Sequence, residues 1–152
     1  MLLTHVLYGG WISKRSIDSF YNLYAGGLPG LRGYSYYSMG GTNKAAGRIS
    51  LRFPVWKGID KRLSVFYLDR IHSSVFFETG NAWKGKLKLD EFKKDVGAEL
   101  RMKLFSWYGY PTDIQFTTAY GLDRFDLTNE NGEITNYGHK WRWYLTVLFD
   151  FI

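Results

Sequence analysis

The side chains of this sequence that could do chemistry stand in alternation rather than in catalytic sets. From Asp95 to Lys103 every second residue is glycine or charged: Asp95, Gly97, Glu99, Arg101 and Lys103. Asp113, Arg48, Arg52 and Arg142 hold the same place in other alternating runs. Carboxylates mixed with cations in this way suit a wet, polar, ion-paired interior better than a catalytic cluster. No G-x-S-x-G elbow, P-loop or H-E-x-x-H occurs. The three histidines, His5, His72 and His139, are scattered, and only His72 falls on a polar face. Cysteine is absent, which excludes a thiolate metal site and a disulfide scaffold. No enzyme activity, cofactor or metal is therefore expected. Basic and aromatic residues are both plentiful, yet they segregate to opposite faces, whereas a groove that stacks single-stranded nucleic acid needs them together. Nucleic acid is not an expected partner.

The same alternation supplies the elements that must position these residues. In 48–53, Ile49, Leu51 and Phe53 oppose Arg48, Ser50 and Arg52. In 71–83, Val75, Phe77 and Trp83 oppose His72, Ser74, Phe76, Glu78 and Gly80. In 95–104, Val96, Ala98, Leu100, Met102 and Leu104 oppose the charged set above. In 113–122, Ile114, Phe116 and Tyr120 oppose Asp113, Gln115, Thr117 and Ala119. The last run sets Trp141, Trp143, Leu145, Val147, Phe149 and Phe151 against Arg142, Tyr144, Thr146 and Asp150. A period of two marks strands with two different faces. The runs approach the 9–11 residues, or about 30 Å of hydrocarbon, that a tilted strand needs to cross a bilayer. A further strand near 2–8 is weakly marked.

Of the 152 residues, 19% are aromatic, and the net charge is +6. No apolar run reaches the roughly 18 residues of a membrane helix. An antiparallel sandwich with one wet face per sheet would alternate in the same way. Two features favour a transmembrane barrel over it. The apolar faces end in Trp83, Tyr120, Trp141 and Phe151, as an interfacial girdle requires. The connections alternate in length: a tight turn at Gly109-Tyr110-Pro111, long polar loops over 84–94 and 124–140, and a very long Gly- and Tyr-rich loop over 9–45. Residues 55–70 break that rule, being too long for a tight turn. The expected fold is all-β: the C-terminal strands of a transmembrane antiparallel β-barrel, with a long extracellular loop folded into the lumen. Residues 1–152 would form part of one barrel domain, with the export leader, further strands and any periplasmic domains upstream. Five clear strands and one weak one fall short of the roughly eight of the smallest barrels, so an open sheet is expected.

Within the long loop stands Gly26-Gly27-Leu28-Pro29-Gly30-Leu31-Arg32-Gly33-Tyr34, and a later strand carries Phe76-Phe77-Glu78-Thr79-Gly80. With the alternating aromatics from Trp141 to Ile152, this ordered set resembles the barrel of the outer-membrane assembly-factor superfamily, the BamA/TamA type also called bacterial surface antigen. The resemblance covers nearly the whole chain. Members carry V/I-R-G-Y/F at the tip of an extracellular loop and F-x-D-x-G on a later strand. The resemblance implies that Leu31, Arg32, Gly33 and Tyr34 form a loop tip that folds back into the barrel. It implies, too, that Arg32 pairs there with Glu78, flanked by Phe76 and Gly80. Strand parity independently puts Phe76, Glu78 and Gly80 on the polar face, and the arginine fork suits a carboxylate. Tyr34 and Phe76 are placed to shield the pair from water. This sequence departs from the pattern in Glu78 for Asp, in Leu31 for Val or Ile, and in ending on Ile152 after Phe151. The resemblance further implies that Trp141, Trp143, Phe149 and Phe151 form the terminal-strand signal read by the assembly machinery.

The function so implied is insertion or translocation of β-strand client proteins at the bacterial outer membrane. The partners would be outer-membrane lipid including lipopolysaccharide, unfolded outer-membrane proteins, and periplasmic or lipoprotein subunits. Lys84, Lys86, Lys88, Lys93 and Lys94 would lie near outer-leaflet phosphates. Three alternatives stay open on sequence: a barrel that only anchors a larger protein or serves as its translocation unit, a passive pore, and a soluble carbohydrate-binding sandwich.

Overall fold

A computed structural model describes residues 1–13, 18–106, 109–128 and 133–149. In chain order the first strands are β1 (Leu2–Trp11), β2 (Leu23–Tyr24), β3 (Gly40–Gly41), β4 (Asn43–Trp56) and β5 (Lys61–Leu63). They are followed by β6 (Phe66–Trp83), β7 (Lys93–Ser106), β8 (Tyr110–Gly121), β9 (Phe125–Thr128), β10 (Ile134–Tyr137) and β11 (Trp141–Phe149). The protein is all-β and antiparallel. One seven-stranded sheet runs β1-β4-β6-β7-β8-β11, with β5 paired to β6, and its path is open, β1 and β11 being the two ends. The weakly marked first run is thus a full strand, paired with β4 from Leu2↔Arg52 to Trp11↔Asn43.

Register turns the alternation into two continuous faces. Arg48 lies opposite Glu78, Glu78 opposite Asp95, and Asp95 opposite Gly121, so the polar residues of four strands form one row. The apolar row one residue away joins Ile49, Phe77, Val96, Tyr120 and Trp141. At its Trp83 end the polar face is covered by residues 23–41, between β1 and β4; the apolar face is bare. Val75, Leu100, Phe116, Leu145 and Val147 are all exposed on it, and Leu145 keeps 70% of its surface. Among the described residues no second large sheet lies against it, the remaining sheets being the two-stranded pairs β2-β3 and β9-β10.

Three connections differ from expectation. The segment 9–45 is shorter as a loop, because β1 continues to Trp11 and β4 begins at Asn43. Within the span 124–140, β9 and β10 pair as antiparallel strands. The long 55–70 connection holds β5, which folds back on the start of β6. Register shifts lie at both flanks of this connection, between Pro54 and Trp56 and between Leu68 and Arg70. A proline that cannot donate to the ladder belongs beside such a bulge.

The core is small and sits under the loop. Ala25, Leu31, Tyr34 and Met39 of the covering segment pack with Ala46 and Ala82 of the sheet, and Tyr8, Phe125 and Tyr137 close the margins.

Candidate functional site

The covering segment carries Arg32 onto the polar row. Leu31 is fully buried, and its side chain lies over Gly80, where a β-carbon would stand 2.8 Å from Leu31 Cδ1 and 2.6 Å from Ala46 Cβ. Glycine at position 80 is what lets the tip come so close. The Arg32 guanidinium then lies over Phe76, 3.5 Å from the ring centroid, a desolvated cation–π contact. Its Nε and Nη2 both reach Glu78 Oε1, at 3.1 and 3.0 Å. Glu78 Oε2 accepts the backbone N–H of Arg32 at 3.0 Å, and Arg48 Nε also donates to Oε1. The arginine fork therefore closes on one oxygen, leaving the second for the main chain.

The third nitrogen finds a partner that sequence reasoning had left without a role. Arg32 Nη1 donates to Glu99 Oε2 at 3.1 Å. Glu99 also accepts from Gln115 Nε2 at 2.9 Å and from Arg101 Nη2 at 3.3 Å. It is 8% exposed, so its surroundings are not the wet interior expected for it. Arg32 is 3% and Glu78 2% exposed, so the pair is shielded from water. Glu78 and Glu99 share a face because both positions follow the polar parity of adjacent strands, and Glu99 stands opposite Ser74 rather than Glu78. A three-donor guanidinium can bridge that offset; a lysine could not.

Gly33 and Tyr34 pin the tip on its far side. The Gly33 N–H donates to Asp95 Oδ2 at 2.7 Å. A β-carbon at Gly33 would stand 2.6 Å from Asp95 Cβ and 2.7 Å from Gly121 N, so close approach demands glycine here. Tyr34 does not lie over the ion pair as expected. Its hydroxyl donates toward the carbonyls of Lys94 (2.8 Å) and Asp123 (3.1 Å) and accepts the Asp123 N–H at 3.0 Å. Its ring packs against Phe125, at 5.7 Å between centroids. Burial pushes the Tyr34 phenol up to about 12, the Asp123 N–H bond pulling it partly back. Shielding comes instead from Phe76 and from β11, where the Tyr144 hydroxyl donates to Arg32 O at 2.8 Å and Arg142 Nη2 donates to Ser35 Oγ at 2.9 Å.

The sheet thus brings Arg32, Gly33 and Tyr34 together with Phe76, Glu78 and Gly80. It does not bring Trp141, Trp143 or Phe149 to that site. These lie on the bare face of β11, exposed, with Trp143 stacked on Phe116 at 5.5 Å and Trp141 beside Tyr120 at 5.2 Å. Phe151 lies outside the described residues. Compared with family profiles, with curated proteins and with solved structures, the chain matches none. Among the described residues no three His, Asp or Glu side chains converge to hold a metal ion. What the site can do chemically is latch a loop: two buried carboxylates, Glu78 and Glu99, hold one guanidinium, while the Arg32 N–H fills Glu78 Oε2 and the Gln115 and Arg101 side chains complete Glu99.

Proposed function

We propose that this sheet is part of the wall of an outer-membrane β-barrel of the protein assembly and translocation superfamily, acting on β-strand client proteins. The observation that carries this proposal is the bare apolar face. Leu3, Ile49, Val75, Phe77, Leu100, Phe116, Leu145 and Val147 are exposed together on five adjacent strands and β1. Water does not tolerate a contiguous apolar surface of that extent, whereas hydrocarbon requires one. The opposite face is polar and ion-paired, as a barrel interior is. Trp141 and Tyr120 stand together at one end of the apolar band, where indole and phenol groups favour the headgroup region. Among the described residues no helix is long and apolar enough to cross a membrane.

The two free edges, β1 and β11, support placing the sheet within a larger wall, because unpaired backbone groups in hydrocarbon cost several kcal/mol each, about as much as a strong buried hydrogen bond. The latched loop supports the assembly superfamily over an open pore, since it occupies the polar face at the Trp83 end. Lipid, lipopolysaccharide and unfolded barrel proteins are the partners this function entails, and the outer membrane is its place. The test is reconstitution of the full-length protein in liposomes with a urea-unfolded barrel client. Folding of the client, read as heat-modifiable mobility, should run faster than in empty liposomes. Equal rates in both would refute the assembly function. Failure of brominated lipids to quench Trp143 fluorescence would refute the membrane placement separately.

A further inference from the structure

We propose that the loop-free end of the covered face binds a phosphate-bearing polyanion. Arg52 on β4, Arg70 and His72 on β6, and Arg101 and Lys103 on β7, with Lys57 beyond β4, line one open basin of about 440 Å³. Strand register makes this more than a run of solvated cations. Arg70 lies directly opposite Lys103, and His72 directly opposite Arg101. Side chains opposed in this way leave the sheet about 5 Å apart at Cβ, and like charges there are destabilising. Arg70 and Lys103 are such a pair, with Arg101 in the next same-face position and Arg52 on the adjoining strand.

Neighbouring carboxylates offset only part of this charge. Arg70 is paired with Asp69, and Arg101 with Glu99 at 3.3 Å and Asp113 at 3.9 Å. Among the described residues Arg52, Lys57 and Lys103 have no ion pair, Asp113, which register sets opposite Lys103, being turned to Arg101. The other acids of this face, Glu78 and Asp95, sit at its far end and are taken up by Arg32, Arg48 and the Gly33 N–H. A basin that holds excess positive charge across three strands, spaced about 4.8 Å apart, matches a ligand with several anionic oxygens rather than a single carboxylate. Arg52 and Arg101 offer planar forks and Lys57 and Lys103 point charges, the usual mixture for phosphate. A lipid phosphate and a soluble phosphate present the same chemistry here. The inference rests on the basin, its register and its unbalanced charge, and does not depend on the membrane placement.

The test uses the full-length protein in uncharged detergent at neutral pH, titrated with inorganic tripolyphosphate by calorimetry. Arg52→Gln with Lys103→Gln should weaken binding by at least about tenfold, as loss of charge-assisted hydrogen bonds implies. Lys86→Gln with Lys88→Gln removes equal charge from an exposed loop and should leave binding within about twofold. In anion-free buffer the basin variant should unfold at a higher temperature than the parent, because like-charge repulsion is relieved. Tripolyphosphate should reverse that order. Retention of phosphatidylglycerol by the parent but not by the basin variant, read by native mass spectrometry, supports the site with lipid as the source. Tripolyphosphate binding without lipid retention supports it with a soluble source. Absence of both, or equal weakening in the two variants, overturns it.

Discussion

Glu78→Gln is the sharpest perturbation of the latch, because it keeps the shape of the side chain and removes its charge. In the folded protein Glu78 Oε1 is the meeting point of Arg32 Nε, Arg32 Nη2 and Arg48 Nε, and Oε2 accepts the Arg32 N–H. A glutamine must turn its NH₂ toward one of these donor sets, so at least one buried donor loses its acceptor. Breaking a buried pair by removing one partner costs about 3–5 kcal/mol. The lower end applies here, for two reasons. Glu99 still holds Arg32 Nη1, and Arg48, with 27% of its side chain exposed, can turn to water. About 3 kcal/mol shifts the docked-to-undocked ratio of the loop by roughly 150-fold. The assay is amide hydrogen exchange in the full-length protein, read at the Arg32 and Gly33 N–H groups, each of which donates to a carboxylate. Both should exchange faster by that factor, with protease cleavage appearing between Leu23 and Asn43. Glu78→Asp retains the charge but withdraws it by a methylene, and should lose less than Gln. Unchanged exchange at both amides in Glu78→Gln would mean that charge pairing is not what holds the loop.

Adjacent residues of β11 should respond oppositely to charge. Leu145→Arg on the bare face should cost about 2–4 kcal/mol, whereas Thr146→Arg on the polar face should be mild; folded yield of the full-length protein reads the difference. Gly33→Ala should undock the tip by about 1–3 kcal/mol, since the new methyl meets Asp95 Cβ and Gly121 N within 2.7 Å and the backbone cannot yield; exchange at Arg32 reads it. Phe76→Leu removes the ring under the guanidinium and should cost about 1–2 kcal/mol in the same assay. For Tyr34, a phenol raised from 10.0 to about 12 means that the neutral form is the one the fold holds. The stability it contributes is whole below pH 10 and is lost as pH rises toward 12. Tyrosinate absorbance should show this late-titrating group vanish in Tyr34→Phe.

The faces of the sheet were legible because a strand has a side-chain period of two and each run keeps it. Arg48, Glu78, Asp95 and Ala119 fell on one side by parity, and the register puts them there. β1 was faint because its two faces are nearly equally apolar: Leu3 and Leu7 look one way, Val6 and Tyr8 the other. The β9–β10 pair was missed because Phe125, Leu127, Ile134 and Tyr137 are set among polar residues and pair over only four positions. At the site, the meeting of Arg32 with Glu78 could be anticipated from motif and parity. The part played by Glu99, Tyr144 and Arg142 could not, since it depends on how far along each strand the loop tip lands. Position along a strand is set by register, and a one-residue change in the bulge at Asp69 would move every partner.

The latch also accounts for an arrangement the sheet could not hold by itself. Glu78 and Asp95 are directly opposed on β6 and β7, two carboxyl groups in the buried part of the face. Ionising both of two carboxyl groups so opposed is destabilising, and burial makes it more so. The wall supplies one cation, Arg48, against these two carboxylates. The remaining compensation comes from the loop: the Arg32 guanidinium and main-chain N–H to Glu78, and the Gly33 N–H to Asp95. The loop in turn has little to bury against except this face, since its core residues Leu31 and Tyr34 pack on Ala46, Ala82 and the β9–β10 pair. Wall and loop are therefore one cooperative unit. Lifting the tip strips these partners from the two carboxyl groups at the same time as it opens the small core, so docking of the tip and packing of the core are coupled.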